Sequence, residues 1–562
     1  MIKRHFATVN GRWGTRQVHY RRAGRGPALL MLHQSPQSSA NLIPLIKAWQ
    51  KHFTIIAPDT PGYGCSDPLT MPDASIEDFA AAVLEFMDTL GLQRVGVYGY
   101  HTGGSIAVAL AQIASDRITA CAVNGLASLT GQERKDILDH YLPPVRVRWD
   151  GSHLTWLWSR MRDQHTFFPW FRRTAAARLD AEMPPPALMH NALVELLRAG
   201  EHYQVAYRAA FNFTAGAALK DTNVPTLVTA AAHDPLLTHL SRIASPAACV
   251  ELKASADADA AADACLHLLL RARSEVPPAA ADTMPIEGRL WQKMVDVEGG
   301  QLRVKCNFDA NGRPLVFQHD AGGSTDTVEE VARSLIGQRS LVLVDFPGHG
   351  ESDKTLDESE VTVPQHRNAL AEALSNLGMD QIDYYGIGSG ALVGLDLAVT
   401  APERVHRLAM TNILFADERV VADLKANYAP EWTPDWYGGH LLQCWYLARD
   451  QLLFWPWYQR KRANIIRNAD CLSSHSIHQH VLEMLKAPGM WRRSHQAYFD
   501  YPTDSMLASV GVPTALCATN QGHHLSHARK ARAAHQHCSF LALPDMPAER
   551  GAAIHRLLCS NS

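Results

Sequence analysis

Five residues, Gly99-Tyr100-His101-Thr102-Gly103, set an imidazole between two positions that carry no side chain. The apolar run Val95 to Tyr98 precedes them and a helix-like run, Ser105 to Ala114, follows. This order predicts a strand, a sharp turn and a helix. The apex side chain is then pushed over the sheet edge, and the N–H groups of the helix start face whatever binds there. Histidine titrates near neutrality, so a ring at that apex could take a proton from water or from a substrate. His33 stands in a second turn, His33-Gln34-Ser35-Pro36, after an earlier apolar run.

The elements that must position these residues are written twice in the chain. LLMLHQSPQSSANLIPLI from Leu29 answers to PLVFQHDAGGSTDTVEEV from Pro314, and TIIAPDTPGYGCSD to LVLVDFPGHGESD. VGVYGYHTGGSIAVALA answers to IDYYGIGSGALVGLDLA, and VPTLVTAAAHDPLLTH to VPTALCATNQGHHLSH. The offset drifts only from 286 to 288, which means a duplicated domain. Short apolar runs (Leu29–Leu32, Thr54–Ala57, Val95–Tyr98, Ala120–Val123, Thr226–Thr229) predict strands, with helices such as Ile76–Leu90 between them. The alternation predicts an α/β fold with a doubly wound, mostly parallel sheet in each half. Between the fourth of those strands and Val224 lie about 95 residues rich in Trp, Tyr, Phe, Arg and His, too many for a plain loop. They predict a helical lid at about 127–222, and a second at about 415–510. The domains are expected at 1–273 and 290–562. The Pro/Ala-rich stretch 274–289 would link them.

The pinched turn, the His33 turn and the stretch Asp59 to Asp67 together resemble the α/β-hydrolase fold family, twice over, lids included. The resemblance implies Gly-x-Ser-x-Gly at the elbow, an acid after a later strand and a histidine near the domain end. Here His101 takes the serine's place in the first half and Gly388 in the second, with Ser389 level with Thr102. Asp234 stands where the family places its acid, whereas its second-half counterpart is Gly522. His267 and His555 match each other but fall inside the terminal helices, past the expected loop, and are expected to be structural.

A histidine at the elbow projects farther than serine, so its ring could meet Asp234 directly. Such a pair fixes the tautomer, raises the ring's basicity and leaves the other nitrogen for catalysis. His101 and Asp234 are therefore the expected catalytic residues, and the N–H groups of Gln34 and Thr102 the expected oxyanion hole. The alternative is a dead pocket with an inert histidine. The half with histidine at the apex also keeps the aspartate, and the half with glycine there has glycine in both places. The second domain is then expected to be a degenerate enzyme.

The lids share a second set of residues: Trp149 with Trp436, His153 with His440, Trp158 with Trp445, Arg162-Asp163-Gln164 with Arg449-Asp450-Gln451. His33, His153, Trp158 and Arg162 are the expected substrate contacts. His153 and Arg162 lie nine residues apart, on roughly opposite helix faces, so only one of the two faces the pocket comfortably. An aromatic, arginine-bearing lid suits a planar or acidic small molecule. The competing reading makes the aromatics the lid's own core and Arg162–Asp163 a local ion pair. Asp59 and Asp345, in turns common to both halves, are expected to be structural.

With 53 Lys+Arg against 56 Asp+Glu and a net charge of −3, nothing electrostatic points to nucleic acid. No apolar run is long enough to span a bilayer, and the N-terminus lacks a signal core. Ten cysteines without paired spacing fit a reducing, cytoplasmic setting. His523-His524 with His527, and His475, His478 and His480, lack completing ligands, so neither a metal nor another cofactor is expected. The halves are expected to pack as an intramolecular pseudo-dimer. Three functions fit: hydrolysis of an ester, lactone or C–C bond beside a carbonyl; cofactor-free oxygenation or lyase chemistry with the same base; or non-catalytic binding.

Overall fold

The computed structural model describes residues 1–466, 472–519 and 524–559. They form two units. The first comprises Met1–Arg146 and His153–Met284, the second Val147–Ser152 and Pro285–Ser562. Residues 274–284, expected as linker, run along the first unit. Glu275 exchanges backbone hydrogen bonds with Ala28 and Arg94, and Thr283 Oγ1 donates to the Phe6 carbonyl.

The first unit is built on an eight-stranded sheet: β1 (Lys3–Gly11), β2 (Gly14–Ala23), β3 (Ala28–Leu32), β4 (Thr54–Pro58), β5 (Val95–Tyr100), β6 (Ile118–Asn124), β7 (Thr226–Ala231) and β8 (Val250–Ser255). The spatial order is β1-β2-β4-β3-β5-β6-β7-β8, antiparallel through β1, β2 and β4 and parallel from β4 onward. β3, β4 and β5 are near-continuous apolar runs because both their faces are covered. Val97, Ile106, Leu110, Val123 and Val228 pack in one cluster, and Leu29, Met31, Ile55, Ala57 and Tyr98 in another. The predicted helix Ile76–Leu90 spans Ile76–Thr89 and starts on a Ser75–Asp78 capping box. The hairpin β1–β2 carries no apolar run; its pattern is masked by Arg4 and Arg16, both buried in the fold.

Helices Gly131–His140, Ser152–Thr166, Pro186–Ala199 and Tyr203–Asn212 are inserted between β6 and β7. The second unit repeats the plan with β9 (Trp291–Val297), β10 (Gly300–Asn307), β11 (Leu315–Gln318), β12 (Leu341–Val344), β13 (Ile382–Ile387), β14 (Val405–Thr411), β15 (Thr514–Thr519) and β16 (Ser539–Leu543), in the same spatial order. Its helical insertion lies between β14 and β15.

Asp59 and Asp345 pin equivalent turns. Asp59 accepts the N–H groups of Ser39 and Cys65 and contacts the His19 ring at 2.8 Å. Asp345 accepts those of Thr325 and Glu351 and pairs with Arg303. Burial opposes the Asp59 charge, but His19 and these donors outweigh it and hold the carboxyl far below its usual range.

Candidate active site

The turn after β5 is forced by close backbone approach. A Cβ on Gly99 would stand 2.3 Å from the Gly103 carbonyl oxygen, and one on Gly103 would stand 2.2 Å from that of Leu32. Between them His101 adopts φ 50°, ψ −110°, a conformation L-residues rarely take, and caps helix Thr102–Ile113. Gly388 has nearly the same dihedrals at the start of Ser389–Thr400, with Gly386 and Gly390 as the pinching pair.

His101 Nε2 lies 2.8 Å from Asp234 Oδ2. The carboxylate is largely buried, and its other oxygen accepts the Leu236 N–H. Burial works against its charge, yet the His101 contact and the Leu236 bond hold the carboxyl below its ordinary value. With Nε2 as the donor to Asp234, Nδ1 is the lone-pair nitrogen. It has no hydrogen-bond partner among the described residues, and the His101 side chain stays 24% exposed. Tyr100 packs beside the ring at a centroid distance of 4.4 Å.

Gly125, at the end of β6, makes room for this pair. A Cβ there would fall 2.6 Å from His101 Nε2 and 3.2 Å from Asp234 Oδ2, and its φ of 74° already disfavours other residues. At the matching place the second unit has Asn412. Gly125→Ala is expected to push His101 off Asp234 and lower turnover at least tenfold. Backbone strain alone should cost about 1 kcal/mol or more. Steady-state kinetics and thermal denaturation check both.

The N–H groups of Gln34 and Thr102, the expected oxyanion hole, have no acceptor among the described residues. His33, expected to touch substrate, has both ring nitrogens engaged within the protein. It is fully enclosed, its Nε2 accepts the Thr60 N–H and its Nδ1 donates to the Gln34 carbonyl. It shapes the turn that presents Gln34. His153 and Trp158 are also buried, on helix Ser152–Thr166. Arg162 is half-buried. Asp163 pairs with Arg173 at 2.9 Å, not with Arg162. A cavity of about 430 Å³ in this unit is lined by Asp73, Arg208 and Asp221 and touches none of the expected site residues.

Besides Gly125, two residues escaped the sequence reading. His239, one turn past Asp234, is buried and accepts the Ser128 N–H on Nδ1; burial and Arg242 push it down to about 4. It had a signal, since His527 stands at the same place in the other half. Arg160 is only 2% exposed. Its guanidinium lies 5.4 Å from the Trp170 ring and 5.7 Å from the Tyr203 ring. None of its three nitrogens has a hydrogen-bond partner among the described residues. The Tyr63 hydroxyl donates to the Tyr203 carbonyl at 2.8 Å and lies 3.0 Å from Ser35 Oγ, which ties this cluster to the Gln34 turn. The second half has Leu447 at this place, so a search for residues common to both halves passes over it.

Two doubly wound sheets, each with a pinched strand–turn–helix at its centre, define an α/β class of protein with its site at the strand ends. The alpha/beta hydrolase fold family matches residues 27–259 and 313–444, more than half of the chain, and the protein belongs to that family. A soluble epoxide hydrolase of Corynebacterium sp. is 40% identical over 107 residues, covering 19% of this chain and 35% of the relative. The (E)-2-((N-methylformamido)methylene)succinate hydrolase of Acinetobacter baylyi is 30% identical over 124 residues, 22% of this chain and 47% of that protein. The chain thus spans between a third and a half of the length of these curated relatives. A hydrolase structure from Pseudomonas aeruginosa PA01 aligns with a TM-score of 0.37 at 19% identity, covering 48% of this chain and 98% of that one. Among the described residues, no helix is long and apolar enough to cross a membrane.

Proposed function

We propose that the first unit hydrolyses a small carbonyl compound, an ester or lactone, without a serine nucleophile. The observation that carries this reading is the 2.8 Å contact between His101 Nε2 and Asp234 Oδ2, with Nδ1 left unengaged. His101 Nδ1 takes a proton from water as the water oxygen bonds to the carbonyl carbon. Asp234 stabilises the imidazolium that forms. The N–H groups of Gln34 and Thr102 hold the oxyanion. The tetrahedral species collapses with cleavage of the C–O bond, and the imidazolium returns its proton to the leaving alkoxide, giving acid and alcohol.

The substrate in this reading carries an anionic group, which Arg160 receives. A buried guanidinium without hydrogen-bond partners is costly, and a carboxylate would satisfy two of its N–H groups at once. The Acinetobacter relative is named for a succinate derivative, which accords with an acidic substrate. The second unit lacks His101, Asp234 and Arg160 and is non-catalytic in this account.

Turnover of mono-p-nitrophenyl glutarate in ¹⁸O-labelled water tests the reaction class. One labelled oxygen in the glutarate is expected. Label arriving from dioxygen, or release of product without any oxygen incorporated, would replace hydrolysis by oxygenase or lyase chemistry.

A further inference from the structure

The second unit contains a cavity of about 450 Å³ where the first carries its histidine, within the range that holds a small organic molecule. Its elbow is occupied differently. The space a Cβ on Gly388 would need is taken by the Asp320 carboxyl, whose Oδ1 would lie 2.4 Å away. Asp320 stands at the place of Gln34. Its Oδ1 accepts the Ser389 N–H at 2.8 Å, the Ser389 hydroxyl at 3.0 Å and the Ala321 N–H at 2.8 Å. The Ser389 N–H is the counterpart of the Thr102 N–H. The donor that would face an oxyanion in this unit is therefore already satisfied by a fixed negative charge. A tetrahedral oxyanion or a substrate carboxylate would meet repulsion there instead of a hole.

The rest of the lining is rich in acceptors. His495 donates through Nδ1 to the Trp491 carbonyl, which leaves Nε2 as an acceptor. His480 contacts Gln451 Oε1 through Nε2 at 3.0 Å, which leaves Nδ1 as an acceptor. Burial pushes His480 down to about 4 and also lowers His495, so both stay neutral near pH 7. Asn412, Tyr428, Thr327, Gln451, Ser476 and His524 also line it. No lysine or arginine lines the cavity, and Asp320 is its one acid among the described residues. Oδ2 of Asp320 has no donor among the described residues.

We propose that this cavity is a binding site for a small organic cation with a primary ammonium group, its N–H donors shared between Asp320 Oδ2 and the neutral histidines beside it. The duplicated unit has thereby exchanged an anion-stabilising elbow for a cation-binding one. The inference is independent of the chemistry at His101.

Isothermal titration of the full-length protein with n-butylammonium, agmatine and butyrate tests it. The two amines are expected to bind at least tenfold more tightly than butyrate. Asp320→Asn, whose amide oxygen can still accept the Ser389 N–H, should weaken amine binding at least tenfold. Ala448→Leu, an apolar change on the cavity wall, should weaken it comparably without removing charge. Tighter binding of butyrate, no binding of either amine at 10 mM, or amine binding unaltered in either variant would overturn the proposal.

Discussion

His101→Gly should lower ester turnover by about 10²–10⁴-fold, the range a positioned general base contributes, while leaving the fold nearly as stable as before. The stability half of this expectation is a near-cancellation. Glycine relieves a backbone conformation that costs about 1–3 kcal/mol. The same change removes a hydrogen bond to a carboxylate, a loss of roughly 1.5–3 kcal/mol. With terms of similar size and opposite sign, the melting temperature should move by only a few degrees, about 2–4 °C per kcal/mol for a domain of this size. Exogenous imidazole should restore part of the lost rate, since the substitution opens a space beside Asp234 shaped for that ring. Unchanged turnover in the glycine variant would remove His101 from the chemistry. Turnover and stability lost together, with no rescue, would make its role structural.

Arg160→Leu is expected to separate substrate binding from folding even more sharply. Leucine is the residue at this position in the second half. Replacing a buried guanidinium that lacks hydrogen-bond partners by an aliphatic side chain should raise stability by about 1–3 kcal/mol. The same change should cost kcat/KM for a carboxylate-bearing ester about 100-fold, near 2.7 kcal/mol at 1.36 kcal/mol per factor of ten. Comparing mono-p-nitrophenyl glutarate with p-nitrophenyl butyrate isolates the charge. The glutarate ester should lose the factor of 100, and the butyrate ester should change less than threefold. An equal loss for both would mean that Arg160 shapes the insertion and does not select an anion.

The sheet and the elbow were legible because their physics is local and repeated. Gly99 and Gly103, with Gly386 and Gly390 as their copies, mark positions where no Cβ fits, and the apolar runs of β3 to β6 mark strands covered on both faces. The approach of His101 to Asp234 followed from side-chain reach from the end of β5, past β6, to the end of β7. Gly125 was not legible, because its meaning lies in a contact with residues 24 and 109 positions away. The hydrogen bonding of His33 was hidden for a related reason: ring nitrogens engaged by Thr60 and Gln34 look the same in sequence as free ones. Comparing the halves favoured shared residues, which are those needed for folding. Arg160 and Asp320 lie where the halves differ, at the places of Leu447 and Gln34.

Quenched-flow mass spectrometry of the intact protein during turnover of mono-p-nitrophenyl glutarate bears most directly on water activation by His101. Expected are an unmodified protein mass at every time point, no burst of nitrophenol, and product carrying one oxygen from labelled water. A stoichiometric acyl adduct on the chain, with burst release of nitrophenol, would contradict it and put a covalent nucleophile in place of the imidazole base.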